Sequence, residues 1–191
     1  TAGIATDAIR EMAYSQLPGR TDGPADAYRH LLLSAELTRR FGEAYARTAL
    51  DFHEWDGNRL GQSTEANTMD VHNNELGIAL GKGLASDPNA SWHDVVEGSR
   101  RLMDAGVRGD PAAAMWMGKE HWRVNPKPDE GGPRMSNDDP RLNWPPTWPD
   151  GPYQNPAGRD AGEPYMDDIE AAKDREERNR DLNDILPHPL M

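Results

Sequence analysis

The chain contains no cysteine among its 191 residues. This excludes a disulfide scaffold, a cysteine nucleophile and a cysteine-ligated zinc site, and it is compatible with either redox compartment. No apolar run approaches the roughly 20 residues of a membrane-spanning helix, so we expect no transmembrane segment. The first twelve residues also lack the basic and apolar regions of a secretory signal peptide.

Basic residues are scarce. The chain has 21 lysines and arginines against 33 aspartates and glutamates, a formal net charge of −12. Nucleic-acid binders neutralise phosphates with lysine and arginine, and their affinity follows that number. The only basic runs here are short pairs such as Arg39-Arg40. The sequence therefore predicts no nucleic-acid partner, and the same charge disfavours an anionic membrane surface.

Hydrophobic residues make up 36% of the chain, below the roughly 45–50% of an average globular protein. Apolar residues recur at helical spacing, and no stretch alternates with the period of a β-strand. We therefore predict an all-α fold, a compact helical bundle with Ile9, Tyr45 and Val71 among the core residues. The predicted helices cover residues 6–16, 24–41, 43–56, 68–84 and a segment from 91, with a further short segment from 111.

The composition changes after residue 124. Ten of the 16 prolines fall between Pro126 and Pro164, mixed with glycine and two tryptophans. A solvated linker is one interpretation, but disordered segments usually lack tryptophan. We predict a helical domain at residues 1–124 and, at 125–191, an extended arm that packs Trp144 or Trp148 on the body and ends in a charged helix.

Three short segments concentrate the reactive side chains. The spacings of three or four residues place Asp26 with His30, and His53 with Asp56, on shared helix faces. A carboxylate on one imidazole nitrogen fixes the tautomer and leaves the other nitrogen to bind a metal or move a proton. The candidate catalytic residues are Asp26, Arg29, His30, His53, Asp56 and Asp70.

The candidate groups are expected to converge. The second and third helices are joined by few residues and should form an antiparallel hairpin, with the fourth helix starting at the same end. His30, His53 and Asp70 could then hold a divalent metal ion that activates a water molecule. A histidine–aspartate pair acting as a general base without metal is the alternative, and Arg29 would stabilise a developing negative charge.

Five further polar residues are candidate substrate-binding groups. Asparagine is a poor helix former, so Asn73-Asn74 inside a helix indicates either exposed positions near its start or amides that orient a substrate. A single aspartate–histidine pair is more often a cap or a satisfied polar contact, and the whole cluster could be structural. The five residues are Glu54, Asn67, His72, Asn73 and Asn74.

The segments GPADAYRHLLLSAELTRRFG, FHEWDGN and NTMDVHNNELGIALG lie between residues 22 and 83. They resemble a poorly characterised helical domain of bacterial polymorphic toxins and secreted effectors. In such domains a D-A-x-R-H helix is followed by an N-x-M-D-x-H-N-N-x-x-G segment. The resemblance implies a domain exported by bacteria into a rival cell or its envelope, and it carries no established activity.

The leading hypothesis is a secreted antibacterial effector, a hydrolase delivered to the target-cell periplasm. Its expected partners are an envelope substrate and a cognate immunity protein. The bond cleaved would be a phosphodiester in a lipid or lipid-linked wall precursor, or a bond of peptidoglycan. The alternative is a non-enzymatic interaction module of a secretion or phage-like particle, in which the polar cluster fixes the helical bundle.

Overall fold

A computed structural model describes residues 2–50, 63–123 and 148–151. Its helices are α1 (Ala2–Tyr14), α2 (Pro24–Phe41), α3 (residues 43–50, up to the end of the first described segment), α4 (Thr64–Ala85) and α5 (Trp92–Val107). The all-α prediction is confirmed. None of the helices in the described segments combines the length and the apolar character needed to cross a membrane.

Helix boundaries follow the local chemistry of the chain. Pro24 occupies the first turn of α2, where its fixed φ and missing N–H are tolerated. Gly42 ends α2 at a φ of 85°, a conformation that favours glycine. A capping box begins α5, where the Asp94 carboxylate accepts hydrogen bonds from the Ser91 N–H and hydroxyl, both at 2.8 Å.

Helix α2 is the centre of the bundle. It packs most extensively against α4 and also contacts α1 and α5. Tyr28, Leu31, Leu32 and Ala35 are completely buried on it. Ion pairs from Glu43 to Lys82 and from Arg47 to Glu75 place the start of α3 beside the end of α4. Helix α3 therefore runs antiparallel to α4.

Three residues that were predicted to lie in the core are exposed. Ile9, Tyr45 and Val71 are 50%, 46% and 43% exposed. Helix α1 instead buries Ile4, Ala8 and Met12 together with acidic residues. Because its inward face mixes apolar with charged side chains, apolar periodicity alone did not locate it.

Helix α4 packs on α2 through a face of small and polar residues. This face contains Asp70, Asn73, Asn74, Gly77 and Gly81. A Cβ atom on Gly81 would lie 2.3 Å from the Ala35 carbonyl oxygen. The glycines therefore allow the two helix backbones to approach closely.

The segment from residue 111 is not a helix. Residues 111–118 form turns and extended chain, and a short 3-10 turn follows at Lys119–His121. The Asn73 side chain donates to the Met115 carbonyl at 2.8 Å and accepts from the Met115 N–H at 3.1 Å. Because α4 takes both main-chain groups of Met115, these groups are not used in helical hydrogen bonds.

Trp148 packs on the helical body, as predicted for the arm. Its ring lies 5.2 Å from that of Tyr28, and its Nε1–H donates to Asp104 at 2.8 Å. Arg100 donates to the carbonyl oxygens of Pro149 and Gly151, at 2.9 and 2.8 Å. Trp144, the rest of the predicted arm and the charged C-terminal helix lie outside the described residues, so the division at 124/125 stays a prediction.

The Arg100 side chain also reaches the interior. It donates to the Glu11 carboxylate at 2.9 Å, and the Tyr28 hydroxyl donates to the same oxygen at 3.1 Å. Glu11 is completely buried. Arg100 therefore compensates a buried negative charge and fastens the 148–151 segment at the same time.

We expect Gly81→Ala to lower the free energy of unfolding by about 1–3 kcal/mol, because the added methyl group overpacks the α2–α4 contact. Gly83 is the matched control, since a Cβ atom there meets nothing within 4 Å. Gly83→Ala should be neutral or stabilising by up to about 1 kcal/mol, the gain in helix propensity. Urea denaturation measures both, and equal stabilities of the two variants would contradict the close packing.

Arg100→Gln should lower the free energy of unfolding by about 3 kcal/mol, because it leaves the buried Glu11 carboxylate without its charged partner. Its neighbour Arg101 is exposed, and Arg101→Gln should change stability by less than about 0.5 kcal/mol. Trp148 fluorescence should also respond to the loss of Arg100. A normal denaturation midpoint for Arg100→Gln would show that Glu11 does not need the guanidinium.

Candidate functional site

The site begins in the first turns of α2. The main chain folds back at Asp22, which has a φ of 60°, a region that aspartate tolerates better than most residues. This turn lets the Asp22 N–H donate to the Asp26 carboxylate at 2.9 Å. His30 follows one helical turn after Asp26, on the same face.

Helix α4 supplies the other half of the site. Asp70 and Asn74 are four residues apart and share the face that carries Gly77 and Gly81. The close approach of the two backbones at the glycines therefore brings Asp70 and Asn74 against His30 from the neighbouring helix.

Three potential ligand atoms converge at this junction. His30 Nε2 lies 3.3 Å from Asp70 Oδ1 and 3.8 Å from Asp26 Oδ1. The three atoms all lie within 4.8 Å of one another. Ligands at about 2.0–2.2 Å from a shared metal ion are about 3.0–3.5 Å apart, so a small closure would complete such a site.

Asn74 orients the imidazole. His30 Nδ1 lies 3.0 Å from Asn74 Oδ1. In the neutral tautomer that donates Nδ1–H to this oxygen, the lone pair of Nε2 faces the two carboxylates. A hydrogen bond from the remote nitrogen is the usual way in which proteins orient a metal-binding histidine.

Arg29 lies at the solvent side of the cluster. Its Nη2 atom forms an ion pair with Asp26 and lies 3.2 Å from His30 Nε2. The Arg29 side chain is 21% exposed, whereas Asp26 and Asp70 are nearly buried. The guanidinium thus connects the buried carboxylates to solvent.

Charge and burial act in opposite directions on Asp26. Burial raises its pKa, but the charge of Arg29, the neighbouring His30 and the hydrogen bonds from Arg29 and Asp22 together lower it below its ordinary value. The pKa of Asp22 is raised, first by burial and then by the negative charge of Asp26. Asp26 is therefore the stable anion of the pair.

A cation is the chemical complement of this arrangement. Two carboxylates and one imidazole form a donor set suited to divalent ions such as Zn²⁺ or Mn²⁺. Three protein ligands leave coordination positions for water or substrate, as in catalytic metal centres. The residues that could hold the ion are Asp26, His30 and Asp70.

Two of the three predicted metal ligands lie together. His30 and Asp70 come together as predicted, and Asp26 joins them, although the sequence analysis placed it only among the catalytic groups. His53, the third predicted ligand, lies outside the described residues. Glu54 and Asp56 also lie there.

The remaining predicted substrate-binding residues occupy different places on α4. Asn73 is completely buried and binds the main chain of Met115 with its amide. His72 Nε2 lies 2.8 Å from the Ala113 carbonyl oxygen. Both therefore fix the 113–115 segment, whereas half-buried Asn67 lies one turn before Asp70.

Asp22 was not among the predicted site residues. Gly23 is the N-cap of α2, and this end of the helix has no side-chain cap hydrogen bond. The contact of Asp22 with Asp26 depends on a left-handed backbone conformation. A short polar residue before Gly-Pro was the only signal in the sequence.

A comparison with solved structures finds none that matches the chain. One family model matches residues 2–101, a range that contains α1, α2 and α4 and all the described residues around His30. The match covers more than half of the 191 residues. The chain therefore belongs to the family described as "Domain of unknown function (DUF6973)".

Proposed function

We propose that the protein is a metal-assisted hydrolase, and that it acts as a secreted antibacterial effector on a component of the target-cell envelope. The observation that carries the hydrolase proposal is the convergence of Asp26, His30 and Asp70 from two helices. The effector context is supported by the resemblance of the D-A-x-R-H and N-x-M-D-x-H-N-N-x-x-G segments to domains of bacterial toxins.

Each residue has a defined part in this proposal. Asp26, His30 and Asp70 would hold a divalent cation, which would supply an activated water molecule near neutral pH. Asn74 keeps the His30 lone pair directed at the ion. Arg29, at the solvent side, stabilises negative charge that develops on the substrate.

Arg29 has a second consequence for metal binding. Its Nη2 atom lies against two of the three ligand atoms, so a bound cation and this guanidinium repel each other. We infer that Arg29 turns outward when the metal binds. The guanidinium that pairs with Asp26 then faces the substrate.

The alternative is a non-enzymatic module in which the cluster is structural. Burial favours it, because Asp26, His30 and Asp70 are only 4%, 2% and 5% exposed. Buried polar groups that satisfy one another stabilise a bundle without any catalytic role. Metal binding separates the two proposals, since a closed network has no place for an added cation.

We expect the purified full chain to bind one equivalent of Mn²⁺ or Zn²⁺ and to melt at a higher temperature in its presence. A ligand at 100 times its Kd stabilises the folded state by about 2.7 kcal/mol. His30→Ala and Asp70→Asn should abolish both effects. The matched controls are His93→Ala and Asp87→Asn, which change exposed residues outside the candidate metal site.

Isothermal titration calorimetry and differential scanning calorimetry measure the stoichiometry and the shift. If the His30→Ala variant bound metal with the same stoichiometry and affinity as the wild type, the metal would bind elsewhere. The absence of metal binding by the wild-type chain would contradict the hydrolase proposal and favour the structural network.

Toxicity tests the effector proposal. We expect the domain to be toxic when it is directed to the bacterial periplasm and harmless in the cytoplasm, because its target is in the envelope. His30→Ala, His53→Ala and Asp70→Asn should remove toxicity, and His93→Ala should retain it. The melting temperature of each variant is measured in parallel.

The paired measurement distinguishes chemistry from folding. Loss of one partner from a buried structural network leaves another polar group unsatisfied, at a cost of about 1–3 kcal/mol. Toxicity that falls only in proportion to the folded fraction would therefore identify a scaffold. Toxicity that is lost from well-folded variants supports an active site.

A further inference from the structure

A second segment lies beside the candidate metal site. The Arg20 N–H donates to the Arg123 carbonyl at 2.9 Å, and the Arg123 N–H donates to the Thr21 carbonyl at 3.2 Å. Trp122 packs against the adjoining glycine turn, 3.0 Å from the position of a Cβ atom on Gly19. The main chain of Arg123 is therefore fixed next to the Asp22 turn.

Positive charge collects at this edge. Asp22 is half-buried beside Asp26, and the positive charge of Arg123 acts on it. The Asp22 N–H binds the Asp26 carboxylate, so Asp22 connects the Arg123 segment to the metal-ligand cluster. Arg29 reaches the same carboxylate from its own turn of α2.

The local charge balance differs from that of the whole chain. Around the site, the negative charges of Asp22, Asp26 and Asp70 are offset in part by Arg29, which pairs with Asp26, and by Arg123, whose charge acts on Asp22. A divalent cation in the site would leave this neighbourhood with one net positive charge, although the whole protein carries −12. A region of this sign attracts anions more strongly than neutral ligands.

We propose that Arg123 and Arg29, together with the metal ion held by Asp26, His30 and Asp70, bind the phosphate group of a phosphate-ester substrate. A metal ion and guanidinium groups on one side of a ligand are a recurring arrangement for phosphate recognition, because guanidinium forms paired hydrogen bonds to phosphate oxygens. The proposal rests on the proposed hydrolase function and selects phosphate esters over the uncharged bonds of peptidoglycan.

Binding of inorganic phosphate to the Mn²⁺-loaded full chain is the direct test. Phosphate beside bound Mn²⁺ should show broadened phosphorus NMR lines, and the broadening as a function of phosphate concentration gives its Kd. Arg123→Gln should weaken phosphate binding about tenfold, as expected for loss of a charge-assisted hydrogen bond. Its Mn²⁺ affinity should not fall, because the main-chain contacts of Arg123 do not depend on its side chain and loss of a nearby positive charge does not weaken cation binding.

Two further variants control this result. Arg123→Lys keeps the charge and should retain most of the phosphate affinity, which separates charge from packing. Arg101→Gln removes an exposed arginine on α5 and should leave phosphate binding as in the wild type. A fall in affinity for Arg101→Gln equal to that for Arg123→Gln would reveal a general charge effect and overturn the proposal.

The possible failures can be told apart. Mn²⁺ binding without phosphate binding, or equal phosphate affinity in wild type and Arg123→Gln, would overturn this inference and leave the metal site standing. Absence of Mn²⁺ binding would overturn both. Sedimentation with phosphatidylglycerol vesicles, compared with free phosphate, identifies the source: Arg123-dependent binding to the vesicles supports a lipid phosphodiester, and binding to free phosphate alone supports a soluble ester.

Discussion

The structure depends on the close approach of α2 and α4. Two glycines on α4 face α2, and a Cβ atom on Gly77 would lie 2.7 Å from the Leu31 carbonyl oxygen. Asn74 lies one helical turn before Gly77 on α4, and Asp70 lies one turn before Asn74. Both side chains contact the His30 imidazole. The packing that needs glycine and the polar cluster are therefore two parts of one helix–helix interface, and any change in their spacing moves both.

This interface buries charge, which makes compensation a requirement of the fold. Arg29 and His30 face the carboxylate of Asp26. At the other end of α2, the completely buried Glu36 is held by Arg39 at 2.8 Å and Arg40 at 2.5 Å. The Glu36 contacts join neighbours on one helix, whereas the His30 contacts join two helices. The contacts around His30 bring an imidazole and two carboxylates together, whereas Glu36 is paired with arginines, which do not bind metal ions.

Residues 148–151 lie outside the range matched by the family model, yet they pack on the helical body. Arg100 connects buried Glu11 to the carbonyl oxygens of Pro149 and Gly151 and also lies 5.2 Å from the Trp148 ring. Because the Glu11 carboxylate binds the Arg100 guanidinium, the orientation of the guanidinium is fixed. The segment therefore docks on a donor that the core has already positioned.

The sequence by itself determined the helical class, the start of α2 at Pro24 and the approach of His30 to Asp70. These are consequences of residue spacing, proline and capping chemistry, and short connections, all of which act locally. It also predicted that a tryptophan of the arm contacts the body, since an aromatic ring in a Pro-rich segment needs an apolar surface.

Only the tertiary structure decided which faces are inside and which polar residues act together. Val71 is exposed while Asn73 is completely buried, because Asn73 binds the main chain of Met115 and α4 approaches α2 through Gly77 and Gly81. Asp22 and Arg123 are about a hundred residues apart in the chain, yet main-chain hydrogen bonds place them at one edge. Such pairings arise from long-range backbone geometry, which leaves no periodic signal in the sequence.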